Sequence, residues 1–184
     1  MKPFPDLFCG QHIRLSLPRP EDLPVFSTWS EDAAYQRQMD TDFARPSSVD
    51  TLGKYMSGEH NPNAIHFNLR TIADDRLVGF ISLHNIEWNN GTASLAIGIG
   101  DPDKRGKGLG TEALYLALNY AFNELNLYRV GLDVIGDNQR AIRAYEKAGF
   151  VVEGRLRGGV HRDGQRIDRI YMGILRTEWE QKED

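Results

Sequence analysis

The run Arg105-Gly106-Lys107-Gly108-Leu109-Gly110-Thr111 sets three glycines in a turn that follows an apolar alternating stretch and opens a long helical one. A glycine turn of this kind lets several backbone N–H groups converge, and the helix N-terminus adds partial positive charge. Arg105 and Lys107 bring two cations into the same turn. The pattern predicts an anion cradle suited to a phosphate or pyrophosphate and constrains the fold to strand, turn and helix at this point.

The flanks extend that constraint. Residues 12–17 alternate polar and apolar positions, as a half-buried strand does. Residues 21–29 and 47–57 read as helices, the second opened by Ser47 and Asp50 at capping spacing. Two helices before the main strands suggest a lid or substrate-facing layer. Residues 66–72, 77–86 and 92–99 then read as strands joined by Asp74-Asp75 and Asn89-Asn90-Gly91. These links are too short for crossover helices, which predicts an antiparallel meander. Ala93, Leu95, Ile97 and Ile99 share one strand face.

After the glycine turn the period becomes helical. Leu109, Ala113, Leu116, Ala117, Tyr120 and Ala121 recur at spacings of three and four and form a stripe that packs on a sheet. Residues 128–135 form a strand, so the order from 92 to 135 predicts a parallel pair with a crossover. Asn138 caps a further helix that ends at Gly149. Strands at 150–160 and 167–175 flank the Arg162-Asp163-Gly164 hairpin. The fold class expected is α/β: a mixed, mostly antiparallel central sheet with flanking helices, in a single domain spanning 1–184.

Bulk properties narrow the function. A net charge of -4 argues against a general nucleic-acid binder. No apolar run approaches the roughly 18 residues of a membrane span, and residues 1–6 lack the apolar core of a signal peptide. A cytoplasmic protein with neither nucleic-acid nor membrane partners is expected. The single cysteine, Cys9, offers no disulfide framework and no metal cluster, and an inert thiol is expected there.

Three phosphate loops compete for the glycine turn. A nucleotide P-loop needs Ser or Thr after Gly-Lys, whereas Gly108 follows Lys107. A dinucleotide fingerprint fits loosely as Gly108-x-Gly110-x-x-Ala113, with Asp133 about twenty residues on. That reading, an NAD(P)-binding oxidoreductase, leaves Arg105, Lys107 and the meander unexplained. The third is Arg105-x-x-Gly108-x-Gly110 together with Asn138-Gln139-Arg140-Ala141-Ile142-Arg143-Ala144-Tyr145-Glu146-Lys147-Ala148-Gly149-Phe150. This pair of segments resembles the two signatures of the GCN5-related N-acetyltransferase (GNAT) superfamily. The resemblance covers nearly the whole chain in element order, most strongly residues 77–171. Glu153-Gly154-x-Leu156-Arg157 and the Asp163-Gly164 hairpin resemble the branch of ribosomal-protein N-terminal acetyltransferases and spermidine acetyltransferases.

The resemblance implies an acyl-CoA N-acyltransferase fold and direct transfer of an acetyl group from acetyl-CoA, with no metal, to a primary amine of a small molecule or protein N-terminus. It is compatible with a homodimer. It implies that Gly98, Ile99 and Gly100 run beside the pantetheine arm and that Arg105, Gly106, Lys107, Gly108, Leu109, Gly110 and Thr111 hold the pyrophosphate. It also implies that Asn138 contacts the arm and that the Tyr145 hydroxyl meets the thioester sulfur. Asn138 and Tyr145 stand seven apart, roughly 10 Å along one helix face, and a phenol with pKa near 10 can protonate a leaving thiolate. The strand at 92–99 carries no carboxylate, so His84 and Glu87 on the preceding strand are the candidate bases, with a water chain as the alternative. Leu95 stands where an acidic residue would help a polyamine-binding branch. Glu21, Asp22, Glu31, Asp32, Asp40, Asp42, Asp50 and Glu59 make the N-terminal region acidic, which would draw a cationic amine. A catalytically silent CoA-binding module is a further alternative.

Overall fold

In the computed structural model, residues 6–56 and 61–181 are described. The end of the expected second helix at Ser57, along with Glu59, residues 1–5 and the acidic tail beyond 181, lies outside the described residues. The described strands form one sheet in the order β1-β2-β3-β4-β5-β7-β6. They are β1 (Ile13–Ser16), β2 (Ile65–Thr71), β3 (Leu77–Glu87), β4 (Thr92–Ile99), β5 (Arg129–Ile135), β6 (Val151–Arg162) and β7 (Gln165–Leu175). Every neighbouring pair is antiparallel except β4 and β5, the parallel crossover pair. The helices are α1 (Leu23–Ser30), α2 (Ala33–Met39), α3 (Val49–Met56), α4 (Leu109–Asn119), α5 (Gln139–Ala148) and α6 (Arg176–Glu180).

The apolar stripe of α4 makes the core. Ala113, Leu114, Leu116, Ala117 and Leu118 are buried with Ile13, Leu69, Ile81 and Leu83 from the sheet in one cluster. Each buried leucine contributes roughly 1.5–3 kcal/mol relative to exposure, so this interface holds the glycine turn at a fixed position. The helix continues from Tyr120 to Glu124 as a π turn, which carries Phe122 to complete burial.

Two expectations need correction in the N-terminal layer. It contains three helices, because α2 intervenes between the two expected ones. The sequence Ala33-Ala34-Tyr35-Gln36-Arg37-Gln38-Met39 has no buried residue, so it carries no stripe to read. Its signal was the N-cap: the Asp32 side chain accepts the Tyr35 N–H at 3.0 Å. The second correction concerns α3, which is capped by Ser48, whose Oγ accepts the Thr51 N–H at 3.1 Å. Ser47 instead donates its N–H to Ser30 Oγ at 2.7 Å, and Asp50 pairs with Lys54 at 2.8 Å. At the other end of the chain, α6 was also not anticipated; it buries Trp179 against the rings of Tyr115 and Phe122.

Candidate active site

β4 and β5 pair only where Thr92–Ser94 meet Arg129–Gly131. Beyond that point the strands part. β4 stays bonded to β3 and β5 to β7, so both facing edges are left open inside the sheet. Residues 94–99 of β4 and 131–135 of β5 line a cleft of about 810 Å³ between them. An open strand edge is a row of backbone donors and acceptors that an extended, amide-bearing ligand can complete.

The glycine turn closes one end. Gly106 and Gly108 have φ of 74° and 83°, a region other residues enter only at a cost, and a Cβ at either would meet no neighbour within 4 Å. Gly108 is the N-cap of α4 and supplies no side chain. The amides from Gly106 to Thr111 therefore have no hydrogen-bond acceptor among the described residues, which suits them to an anion. Gly106, Gly108, Gly110 and Thr111 line the cleft. Leu109 points into the core, and Lys107 is not part of the lining. The cations that are part of it include Lys104, just before the turn, and Arg140, Arg143 and Lys147 from α5. None of these four has an ion-pair partner among the described residues. Sequence reasoning missed them, although their spacing on α5 by three and four was a legible sign of one shared face.

Arg105 lines the cleft but is engaged elsewhere. Its guanidinium donates to the main-chain oxygens of Ile99 at 2.9 Å and Gly100 at 2.7 Å, and to the Asp32 carboxylate at 2.9 Å. It also lies over the Tyr35 ring, 4.6 Å from the centroid. The arginine of the motif thus braces the end of β4 against α2. Gly98 and Ile99 line the cleft and Gly100 does not. A Cβ at Gly100 would overlap the Trp29 indole, so that glycine serves packing.

The second signature has a clear local physics. The Asn138 Oδ1 accepts the Ala141 N–H at 3.1 Å and caps α5, while its Nδ2 donates to the Gln38 oxygen at 3.3 Å. At the other end Gly149 has φ of 114°, and the Phe150 N–H returns to the Tyr145 oxygen at 3.0 Å. This closure sets the Phe150 ring at 5.9 Å from that of Tyr145. Tyr145 is 9% exposed and lines the cleft. Burial, and then the negative charge of Asp133, push its phenol up to about 12.

His84 lines the cleft opposite, paired in register with Ser94 on β4. Burial pushes its imidazole below the ordinary range, His66 adds to that, and Asp133 pulls the other way. Glu87 is not brought to the cleft. It sits beyond a bulge in β3 and accepts from Asn90 Nδ2 at 2.5 Å in the following turn. Asp133, noticed in the sequence only for the dinucleotide pattern, also lines the cleft, with Arg169 Nε 2.5 Å from its Oδ2. The acidic N-terminal region is largely spent on structure. Asp22 is buried against Arg70 and Asn68, Asp32 caps α2, and of the described residues in that group only Asp40 lines the cleft.

A family model described as "Acetyltransferase (GNAT) domain" matches residues 12–151. The "Probable N-acetyltransferase YjcK" of Bacillus subtilis (strain 168) is 40% identical over 133 residues, covering 71% of this chain and 72% of its own length. The spermidine N(1)-acetyltransferase of Escherichia coli (strain K12) is 32% identical over 158 residues, covering 81% of this chain and 83% of its own. Among solved structures, the spermidine N-acetyltransferase from Vibrio cholerae in complex with CoA and spermine is similar with a TM-score of 0.83 and 27% identity, covering 91% of this chain and 98% of that one.

Proposed function

Because this chain belongs to the GNAT acetyltransferase family, whose members transfer an acetyl group from acetyl-CoA to amines, we propose how its own residues divide that work. The single observation that carries the reading is the open β4–β5 edge, which leads from the unpaired amides of the glycine turn to Tyr145. An acyl-pantetheine arm is extended and bears amides, so it suits that edge. The pyrophosphate suits the amides from Gly106 to Thr111, with Lys104, Arg140, Arg143 and Lys147 as the surrounding cations.

In this reading Asp133 holds the incoming ammonium at the far end of the cleft. His84, neutral because of its burial, accepts the proton that the amine must lose before its nitrogen attacks the thioester carbon. Amides along the open edge of β4 take up the charge that develops on the carbonyl oxygen. Tyr145, held protonated by burial, gives its proton to the departing sulfur as the carbon–sulfur bond breaks, and the second proton, shed by the acylated nitrogen, restores the phenol. The products are an N-acetyl amide and free thiol. Much of the acceleration comes from holding amine and thioester together. With the family shown, the oxidoreductase reading loses its footing, and the intact Tyr145 weighs against a silent CoA-binding module.

The acceptor is a primary amine of a small molecule or a protein N-terminus. Relatives named for spermidine make polyamines the obvious comparison, yet among the described residues the cleft lining has two carboxylates, Asp40 and Asp133, against seven lysines and arginines. An acceptor with one ammonium group suits that balance better than a polycation. We take residues 1–184 as one acetyltransferase domain, since one sheet holds the described strands. No described helix is long and apolar enough to cross a membrane, and we place the protein in the cytoplasm. Thiol release from acetyl-CoA, assayed over spermidine, amino sugars, aminoglycosides and N-terminal peptides, tests the assignment. Turnover on a monoamine or peptide far above spermidine is expected, and a strong preference for spermidine would contradict it.

A further inference from the structure

Tyr35 is a group in the cleft that the proposed chemistry leaves unused. It lines the cleft from α2, and its hydroxyl is buried with no hydrogen-bond partner among the described residues. The main-chain N–H of Tyr35 is held by Asp32, and the Arg105 guanidinium covers one face of its ring. The hydroxyl stands over Gly98 of β4. A Cβ at Gly98 would fall on that oxygen, with Met39 Sδ and a Phe80 ring carbon each 2.8 Å away. Glycine at this position therefore makes room for the hydroxyl over the face of β4, beside the open edge.

A buried phenol that lacks a partner is costly to leave unmatched, so its presence points to a group that arrives with the ligand. Burial pushes the Tyr35 phenol upward, with Asp32 adding to that and Arg105 opposing it, so the hydroxyl keeps its proton and is available as a donor. A phenol can also accept, but a ligand that takes up this O–H must offer an acceptor oxygen. An ammonium offers only N–H groups and would also be repelled by the Arg105 guanidinium beside the ring. A carbonyl of the acyl-pantetheine arm meets both requirements and passes Gly98 in the reading above.

We infer that the Tyr35 hydroxyl binds the donor, donating a hydrogen bond to a carbonyl oxygen of the acyl-pantetheine arm where it passes Gly98. This inference rests on the acetyl-CoA assignment of the cleft. Tyr35→Phe removes the hydroxyl and keeps the ring against Arg105. Calorimetric titration of wild type and variant with acetyl-CoA, and separately with adenosine 3′,5′-bisphosphate, which lacks the arm, separates the cases. The variant should bind acetyl-CoA about three- to tenfold more weakly, the range for one neutral hydrogen bond, and the bisphosphate unchanged. Equal weakening of both ligands would mean the hydroxyl acts through the glycine turn and would overturn the inference. Unchanged affinity for acetyl-CoA, with the thermal midpoint also unchanged, would overturn it too. If wild type itself fails to bind acetyl-CoA, the assignment of the cleft fails, a result distinct from those two.

Discussion

Arg105 and Asp32 form an ion pair at 2.9 Å that joins the glycine turn to the first turn of α2. The same carboxylate caps α2, and the same guanidinium holds the last oxygens of β4 and the neighbouring turn. The loop at one end of the cleft and the helix that roofs it are thus one mechanical unit.

Arg105→Lys keeps the charge but loses the fork that reaches two carbonyl oxygens and an acid at once. Asp32 is partly exposed, so the ion pair itself is discounted for screening. The loss of the carbonyl contacts should lower stability by roughly 1–2 kcal/mol, or about 2–8 °C in midpoint for a chain of this size. A thermal melt checks this. A midpoint within a degree of wild type would show that the brace carries no weight.

His84 works as a base only while neutral. Its folded value lies below the ordinary 6.5, mainly through burial, so kcat/KM should hold down through pH 6.5 and fall only in more acidic solution. In His84→Gln that acid limb should vanish and kcat/KM should fall by about 10²-fold, the lower range for a general base. An acid limb that persists unchanged in the variant would pass the role to a water chain.

Asp133→Asn leaves the shape of the far end of the cleft but removes its charge. Hydrogen bonds to charged groups are worth about 1.5–3 kcal/mol, and partial exposure of this carboxylate reduces that. The KM for the amine should rise roughly tenfold, while that for acetyl-CoA stays constant. A shift confined to the acetyl-CoA KM would move Asp133 out of the acceptor site.

Much of this was legible in the sequence because particular residues have one physical use. The alternation of 92–99 and the three–four spacing of Leu109 to Ala121 gave the strand and helix that bracket the turn. The positive φ of Gly106 and Gly108 made the turn itself readable, since other residues adopt it at a cost. Asn138, Gly149 and Phe150 announced both ends of α5. What stayed hidden depended on long-range placement. Arg105 carries the loop motif, yet its partners are Asp32 and two main-chain oxygens brought near by folding. Asp133 and His84 are far apart in sequence and meet only because β3 and β5 flank the splayed β4. Tyr35 belongs to a helix without an apolar stripe, so nothing in the local pattern directed attention to it.

The central claim is that Tyr145 protonates the sulfur released in the β4–β5 cleft, and its phenol, pushed up to about 12, stays protonated across the working range. Tyr145→Phe keeps the ring against Phe150 and removes only that proton. The direct measurement is the rate of thiol release at saturating acetyl-CoA and amine, beside a calorimetric titration with acetyl-CoA. The account predicts unchanged affinity and turnover reduced by about 10²–10⁴-fold, the range for a general acid. Turnover equal to wild type would contradict it.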